Sequence, residues 1–285
     1  MASRIKIRIK ILLAAAMLLT AVFCFAGLCV QTVKKSEAIP FPVIMYHSVS
    51  SKPESKYNVS PECFENDIKY LLEKGYTPVT FADLYAYQNG AQLPAKPVML
   101  TLDDGYLNNY LHVFPVLQKY NVKCVIAVIG KLTDANYLKE PPPYSERNSR
   151  LNYEQIAEMH KSGLVEIQNH SYNLHGFGKN GTRLGMRPLS GETYDDYKKV
   201  LNDDLKLLDK KLLEKCGIVT TAVALPFGEY CRETITIISE LGYKGALTCD
   251  DGINNLTRES DLLRLRRFNR AAGKPSEEFF RGICP

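Results

Sequence analysis

The chain predicts an α/β fold with a parallel sheet, open or closed into a barrel, and two observations predict it. Apolar runs of strand length alternate with stretches at helical spacing along the whole body of the sequence. Residues able to do chemistry recur just after the apolar runs end, at His47, Asp103-Asp104, His170 and Phe227-Gly228. In a β/α barrel the C-terminal ends of the strands lie together on one face, so residues far apart in sequence can converge there.

The elements follow in order. Arg4, Lys6, Arg8 and Lys10 precede an apolar stretch from Ile11 to Val30. A secretory core is usually about 7–15 residues and a membrane span about 20, so residues 1–35 are expected to form an uncleaved transmembrane signal anchor. The expected location is therefore the cell membrane, single-pass, with the body outside; secretion after cleavage is the alternative. Lys34 and Lys35 flank the far side, which weakens the charge asymmetry that would orient the span. Residues 36–41 read as a linker and 42–285 as the functional domain. Pro42 to His47 is a first strand. Ser60-Pro61-Glu62 starts a helix, with Ser60 as cap and proline in the first turn, and Gly75 closes it. Thr80 to Asp83 opens a short helix, and Pro97–Leu102 is a buried strand.

A helix from about Leu107 to Tyr120, a strand at 123–129 and an irregular region over 132–150 containing Pro141-Pro142-Pro143 come next. Asn152 begins a helix to His160, and Leu164–Ile167 is a strand. Gly176 to Ser190 is a basic loop, read chiefly as solvated surface. Tyr194 to Cys216 is a long amphipathic helix with Val200, Leu201, Leu205, Leu208 and Leu212 on its apolar side, read as packing. Strands at 219–225, 244–248 and 262–268 alternate with helices at 233–241 and 277–282. His112 and His160 fall inside helices and read as structural.

With 285 residues and 45% apolar content, the chain can bury a core without staples. The net charge of +5 is largely N-terminal: without Arg4, Lys6, Arg8, Lys10, Lys34 and Lys35 the body is nearly neutral, which argues against a nucleic-acid partner. Protein partners are not indicated. Of eight cysteines, none forms a C-x-x-C pair, so a thiolate zinc site is not expected. Export would permit disulfides, with the pairing open.

The most informative stretch is Pro97-Val98-Met99-Leu100-Thr101-Leu102-Asp103-Asp104-Gly105. Two adjacent carboxylates at the end of a buried strand repel, and burying them unpartnered costs several kcal/mol or forces protonation. Helix capping is one outlet; a metal ion is another. Glu166-Ile167-Gln168-Asn169-His170-Ser171-Tyr172-Asn173-Leu174-His175 supplies two of the chain's five histidines. One carboxylate and two imidazoles make a ligand set with open positions, suited to zinc or another divalent metal, and the second carboxylate stays free as a general base.

These segments resemble the polysaccharide deacetylases of the NodB-homology type, carbohydrate esterase family four. Thr101-Leu102-Asp103-Asp104-Gly105 matches the family's T-F-D-D-G motif with Leu for Phe. His170-Ser171 through His175 matches H-[ST]-x-x-H with one extra residue, and Ala224-Leu225-Pro226-Phe227-Gly228 resembles R-x-P-[YF]-G. The resemblance runs from about Pro42 to about Asn269. It implies a distorted (β/α) barrel and removal of N-acetyl groups from a cell-surface or cell-wall glycan, peptidoglycan or poly-N-acetylglucosamine. It implies Asp103 as catalytic base, Asp104, His170 and His175 as metal ligands, and the backbone N–H near Phe227 as an oxyanion donor.

Two departures stand out. The motif-three arginine that pairs with the base is Ala224 here, and Arg267 is the proposed substitute. The family's late histidine is absent, since no histidine follows His175. Met45-Tyr46-His47-Ser48-Val49 and the longer histidine spacing resemble the poly-N-acetylglucosamine deacetylases, which points to His47 as the substitute acid or substrate contact. The alternatives are a glycan-binding protein of deacetylase fold that has lost turnover, and an esterase acting on O-acetylated polysaccharide.

Overall fold

The protein is represented by a computed structural model that describes residues 38–51, 55–137, 145, 148–179 and 181–284. The expected anchor over 1–35 lies outside the described residues, among which no helix is long and apolar enough to cross a membrane.

The strands in chain order are β1 (Ile39–Phe41), β2 (Val43–Tyr46), β3 (Ser48–Val49), β4 (Asn58–Val59), β5 (Thr77–Pro78) and β6 (Pro97–Leu102). They continue with β7 (Cys124–Val128), β8 (Val165–Asn169), β9 (Ala222–Ala224), β10 (Gly245–Leu247), β11 (Asn254–Leu256) and β12 (Phe268–Asn269). The main sheet runs β10-β9-β8-β7-β6-β2-β12, with β5 also paired to β6. Every pairing in it is parallel. The sheet curls. Leu265 bridges in parallel to Leu247 at one edge, and the same segment runs on into β12, which pairs with β2 at the other.

Side chains alternate between the two faces of each strand, and the core divides accordingly. Val43, Met99, Val125, Ala127, Ala222, Ala224, Leu247 and Leu265 form one cluster that draws on both edges of the sheet, so it fills the concave side. Ile44, Leu100, Leu102, Ile126 and Val128 face outward onto helices. With both faces covered, β6 is buried at every position, which is why it reads as a continuous apolar run.

The helices are α1 (Pro61–Glu73), α2 (Phe81–Gln88), α3 (Phe114–Tyr120), α4 (Gly130–Tyr137), α5 (Tyr153–Lys161), α6 (Tyr194–Cys216), α7 (Arg232–Glu240) and α8 (Ser276–Phe280). The Ser60 hydroxyl accepts from Cys63 N–H at the start of α1. Asn152 and Gln155 cap α5 reciprocally. Thr193 opens α6, and Gly217, in the left-handed region at φ 71°, closes it.

Three expectations are corrected. The linker over 36–41 ends in β1, which pairs antiparallel with β11; the partner lies more than two hundred residues away, so no local pattern marks it. The irregular region over 132–150 begins with α4, whose first residue, Gly130, sits where a Cβ would lie 2.6 Å from Tyr172 Cδ2. The helix expected from Leu107 opens as a π-helical turn over Asn109–Val113 before α3. Asn108 and Asn109 are drawn inward there: Asn108 Oδ1 accepts from Val49 N–H at 3.1 Å, and Asn109 Nδ2 donates to the His47 carbonyl at 3.0 Å. Cys124, Cys216, Cys231, Cys249 and Cys284 are free thiols.

Candidate active site

Asp103 is the last residue of the β6 ladder, its N–H donating to the Tyr46 carbonyl at 3.0 Å. The chain then turns through the left-handed region at Asp104 (φ 72°) and Gly105 (φ 62°). For Asp104 that conformation costs on the order of 1 kcal/mol or more, so the surrounding structure must hold it. At Gly105 a Cβ would lie 2.9 Å from Val128 Cγ1, so the turn is pressed onto the neighbouring strand. The reversal sends the adjacent carboxylates to different partners.

Asp103 meets Arg267. The guanidinium donates from both terminal nitrogens, at 2.7 Å to Oδ1 and 2.8 Å to Oδ2. Its Nε donates to the Thr248 carbonyl at 2.7 Å, and Nη1 also reaches Thr101 Oγ1 at 3.2 Å. Both residues are buried, Arg267 at 0% and Asp103 at 2% exposure. Burial alone pushes the Asp103 carboxyl up, but Arg267 and then His170 outweigh it and hold the group below the ordinary carboxylate range. Asp103 is thus ionised, oriented and dry.

Asp104 meets the histidines. Its Oδ1 lies 3.4 Å from His170 Nε2 and 3.3 Å from His175 Nε2, and the three ligand atoms lie within 4.8 Å of one another. His170 Nδ1 lies 2.8 Å from the Ala224 carbonyl. A carbonyl can only accept, so Nδ1 carries a proton and Nε2 is the nitrogen left to face Asp104. Burial lowers the His170 pKa, but Asp103 and then Asp104 outweigh it and raise it overall, so this imidazole holds a second proton more readily than a free one unless a metal takes its place. Asp104 Oδ1 is buried with no hydrogen-bond partner. The carboxylate oxygen and the two ring nitrogens converge on one point, where either ring protons or a bound cation balance the buried charge. These residues fit a divalent metal with two nitrogen ligands and one oxygen ligand.

His47 is half-buried just past β2, its ring edge-on to Tyr57 at 4.8 Å between centroids and its Nδ1 without a hydrogen-bond partner. Burial lowers its pKa; Asp103 and then Asp104 act on it in the opposite direction without reversing the shift. The imidazole is therefore neutral near pH 7. Phe227 lies in the turn after β9 at φ 59°, and its ring centroid is 4.1 Å from that of His175. The expectation for this residue concerned its backbone; the structure also sets its ring against His175.

The bracing of the histidine segment was missed in the sequence. Asn169 Oδ1 accepts from Ser171 N–H at 2.7 Å, and its Nδ2 donates to the Leu205 carbonyl, Asp209 and the Tyr243 hydroxyl. Ser171 takes φ 69°. Asp204 of α6 accepts from both Tyr172 N–H and Asn173 N–H at 2.8 Å. Burial raises Asp204 to about 6, the two N–H bonds pulling less strongly the other way. So α6, which reads as packing, also holds the turn between His170 and His175. An aspartate in the polar part of a helical pattern gives no signal of such a role. Tyr106, directly after Gly105, has its pKa raised by burial and then by Asp104, and carries the Arg150 guanidinium 3.7 Å above its ring centroid.

The family model for polysaccharide deacetylase matches residues 90–246. The chain is 27% identical over 243 residues to a poly-beta-1,6-N-acetyl-D-glucosamine N-deacetylase of Escherichia coli, covering 79% of this chain but only 36% of that one. Among solved structures, IcaB from Ammonifex degensii is similar at 27% identity and TM-score 0.68, covering 85% of this chain and 94% of that chain. A de-N-acetylase from Aggregatibacter actinomycetemcomitans aligns at 25% identity and TM-score 0.70, covering 84% and 99%.

Proposed function

Since this chain belongs to the polysaccharide deacetylase family, we propose that it removes N-acetyl groups from a poly-N-acetylglucosamine-like polysaccharide, using a divalent metal held by Asp104, His170 and His175. The reading rests above all on the split environment of the adjacent carboxylates: a guanidinium on Asp103, two imidazoles on Asp104. Relatives named for poly-beta-1,6-N-acetylglucosamine favour that glycan over peptidoglycan.

The metal, when bound, supplies a Lewis acid for the acetyl carbonyl and a water of lowered pKa, and the nitrogen-rich donor set suits zinc. Asp103, kept ionised by Arg267, takes the proton that the attacking water loses. The bidentate contact fixes the carboxylate plane, so the base does not rotate away from its target. A backbone N–H near Phe227 donates to the carbonyl oxygen as it gains charge. His47, neutral at the start, takes a proton from solvent and gives it to the departing nitrogen as the C–N bond breaks, and Asp103 returns the proton it took to solvent. The products are acetate and a free amino sugar.

Arg267 delivers to Asp103 the charge that Ala224 cannot, which removes one sequence ground for a non-catalytic glycan binder. The apolar N-terminal stretch supports placement at the cell surface, anchored through 1–35 or released after cleavage. The test is acetate release by the metal-loaded protein from β-1,6-linked N-acetylglucosamine oligomers, side by side with peptidoglycan and an O-acetyl ester probe. Metal binding with no acetate from any glycan would instead favour the binding module.

A further inference from the structure

Phe177 belongs to none of the motifs, yet 69% of it is exposed. Scattered exposed apolar residues are ordinary, but this ring has company. Its centroid lies 5.0 Å from that of Phe227, itself 36% exposed, and Phe227 in turn lies against the ligand His175. Contiguous exposed rings beside a polar site mark a place where something apolar docks.

The segment carrying Phe177 is pinned. Phe177 bridges Leu184 in antiparallel fashion, and Gly185 N–H donates to the Gly176 carbonyl at 3.1 Å. Arg187 pairs with Glu229 at 2.7 Å, and Arg183 grips both oxygens of Glu192. Glycine is required at two contacts. A Cβ at Gly176 would lie 2.6 Å from the Arg183 carbonyl oxygen, and one at Gly185 (φ 53°) would lie 2.5 Å from that of Pro226. The hairpin is therefore clamped onto the turn that carries Phe227, and the two rings are fixed side by side without burying either.

We propose that Phe177 and Phe227 form a stacking shelf for a pyranose ring of the glycan chain, next to the sugar that loses its acetyl group. A pyranose presents a face of C–H groups that can cover an aromatic ring, while its hydroxyls stay in water at the edges. Two adjacent, uncharged rings beside His175, inclined 44° to each other, form a shallow angled surface that suits such a neutral sugar face. This rests on the deacetylase reading above and adds the prediction that the enzyme favours longer oligomers.

The experiment compares kcat/KM on a β-1,6-linked N-acetylglucosamine pentamer with that on the disaccharide, for wild type, Phe177→Ala and Phe177→Tyr. Phe177→Ala should raise KM for the pentamer on the order of tenfold, the effect of losing one stacked ring, and erase the pentamer's advantage. Phe177→Tyr should restore it. An undiminished advantage in Phe177→Ala, or equal losses on both lengths together with lost zinc, would overturn the shelf. A second arm needs no turnover: pentamer binding to Asp103→Asn should weaken by a similar factor when Phe177→Ala is added, and unchanged binding would overturn the proposal. Absence of acetate release from wild type on every glycan would count against the deacetylase reading, while the binding arm would still decide the shelf.

Discussion

Replacing Arg267 with alanine should cost both stability and chemistry. Arg267 and Asp103 are both buried, and their contact is bidentate at 2.7 and 2.8 Å. Removing one partner of a buried pair leaves an uncompensated charge, which typically costs about 3–5 kcal/mol. The Thr248 carbonyl also loses its donor, Arg267 Nε at 2.7 Å. At about 2–4 °C per kcal/mol for a domain of this size, the melting temperature should fall by about 6–20 °C. The sign of the pH dependence then inverts. In wild type the folded pKa of Asp103 lies below its unfolded value, so the pair's contribution is present above the unfolded pKa and lost only as pH falls through the folded one. Without Arg267, burial is opposed less and the folded pKa rises. The variant should therefore be more stable in mild acid than at neutral pH, and the acid limb of its deacetylation profile should move to higher pH. Arg267→Lys should recover charge but not the two-pronged contact, and so recover stability better than rate. Thermal unfolding from pH 4 to 8 and acetate release over the same range read both effects. A variant that loses less than about 1 kcal/mol and keeps the wild-type acid limb would refute the assignment of Arg267 as the residue that keeps Asp103 ionised.

The two carboxylates should separate by mutation: Asp104→Asn should lose zinc, whereas Asp103→Asn should keep zinc and lose rate, as read by metal analysis alongside acetate release. Asp204→Ala removes the acceptor of two backbone N–H groups and should weaken zinc binding about 10–100-fold in chelator competition. Because the folded pKa of Asp204 is raised, to about 6, its titration contributes stability that is present in acid and lost as pH rises. The stability of wild type relative to Asp204→Asn should accordingly decline between about pH 4 and pH 6, and a flat difference would contradict the burial of that carboxylate. His47→Ala should reduce deacetylation by about 10²–10⁴-fold if the imidazole supplies the amine's proton, and near-full activity would reject that role.

Much of this was legible in the sequence because two of its signals are local. The β6 run breaks at Asp103-Asp104 because a strand buried on both faces must stay apolar until it reaches the open end of the sheet. The extent of α6, Tyr194–Cys216, matched the stretch read from its apolar spacing. Arg267 was reachable only through the family resemblance, whose motif-three arginine stands as Ala224 here and so leaves the expected base without its partner. What escaped depends on distant partners. β1 exists only through β11, and the π-helical turn at Asn109–Val113 accompanies side-chain bonds to the His47–Val49 stretch. Asp204 looks like any polar position on an amphipathic helix until the fold lays Tyr172 and Asn173 against it. Phe177 sits in a glycine-rich basic loop whose composition suggests solvent, and the ion pairs that pin it join residues that composition cannot pair.

The guanidinium reaches Asp103 from the segment that joins the two edges of the sheet, between Leu265 at β10 and Phe268 at β12. The segment that closes the sheet therefore also brings the guanidinium to Asp103. A chain still emerging from the ribosome, or one cut before that segment, would lack both the cover over Asp103 and the guanidinium that orients it. If Asp103 is the base, competence for chemistry would then report completion of the fold.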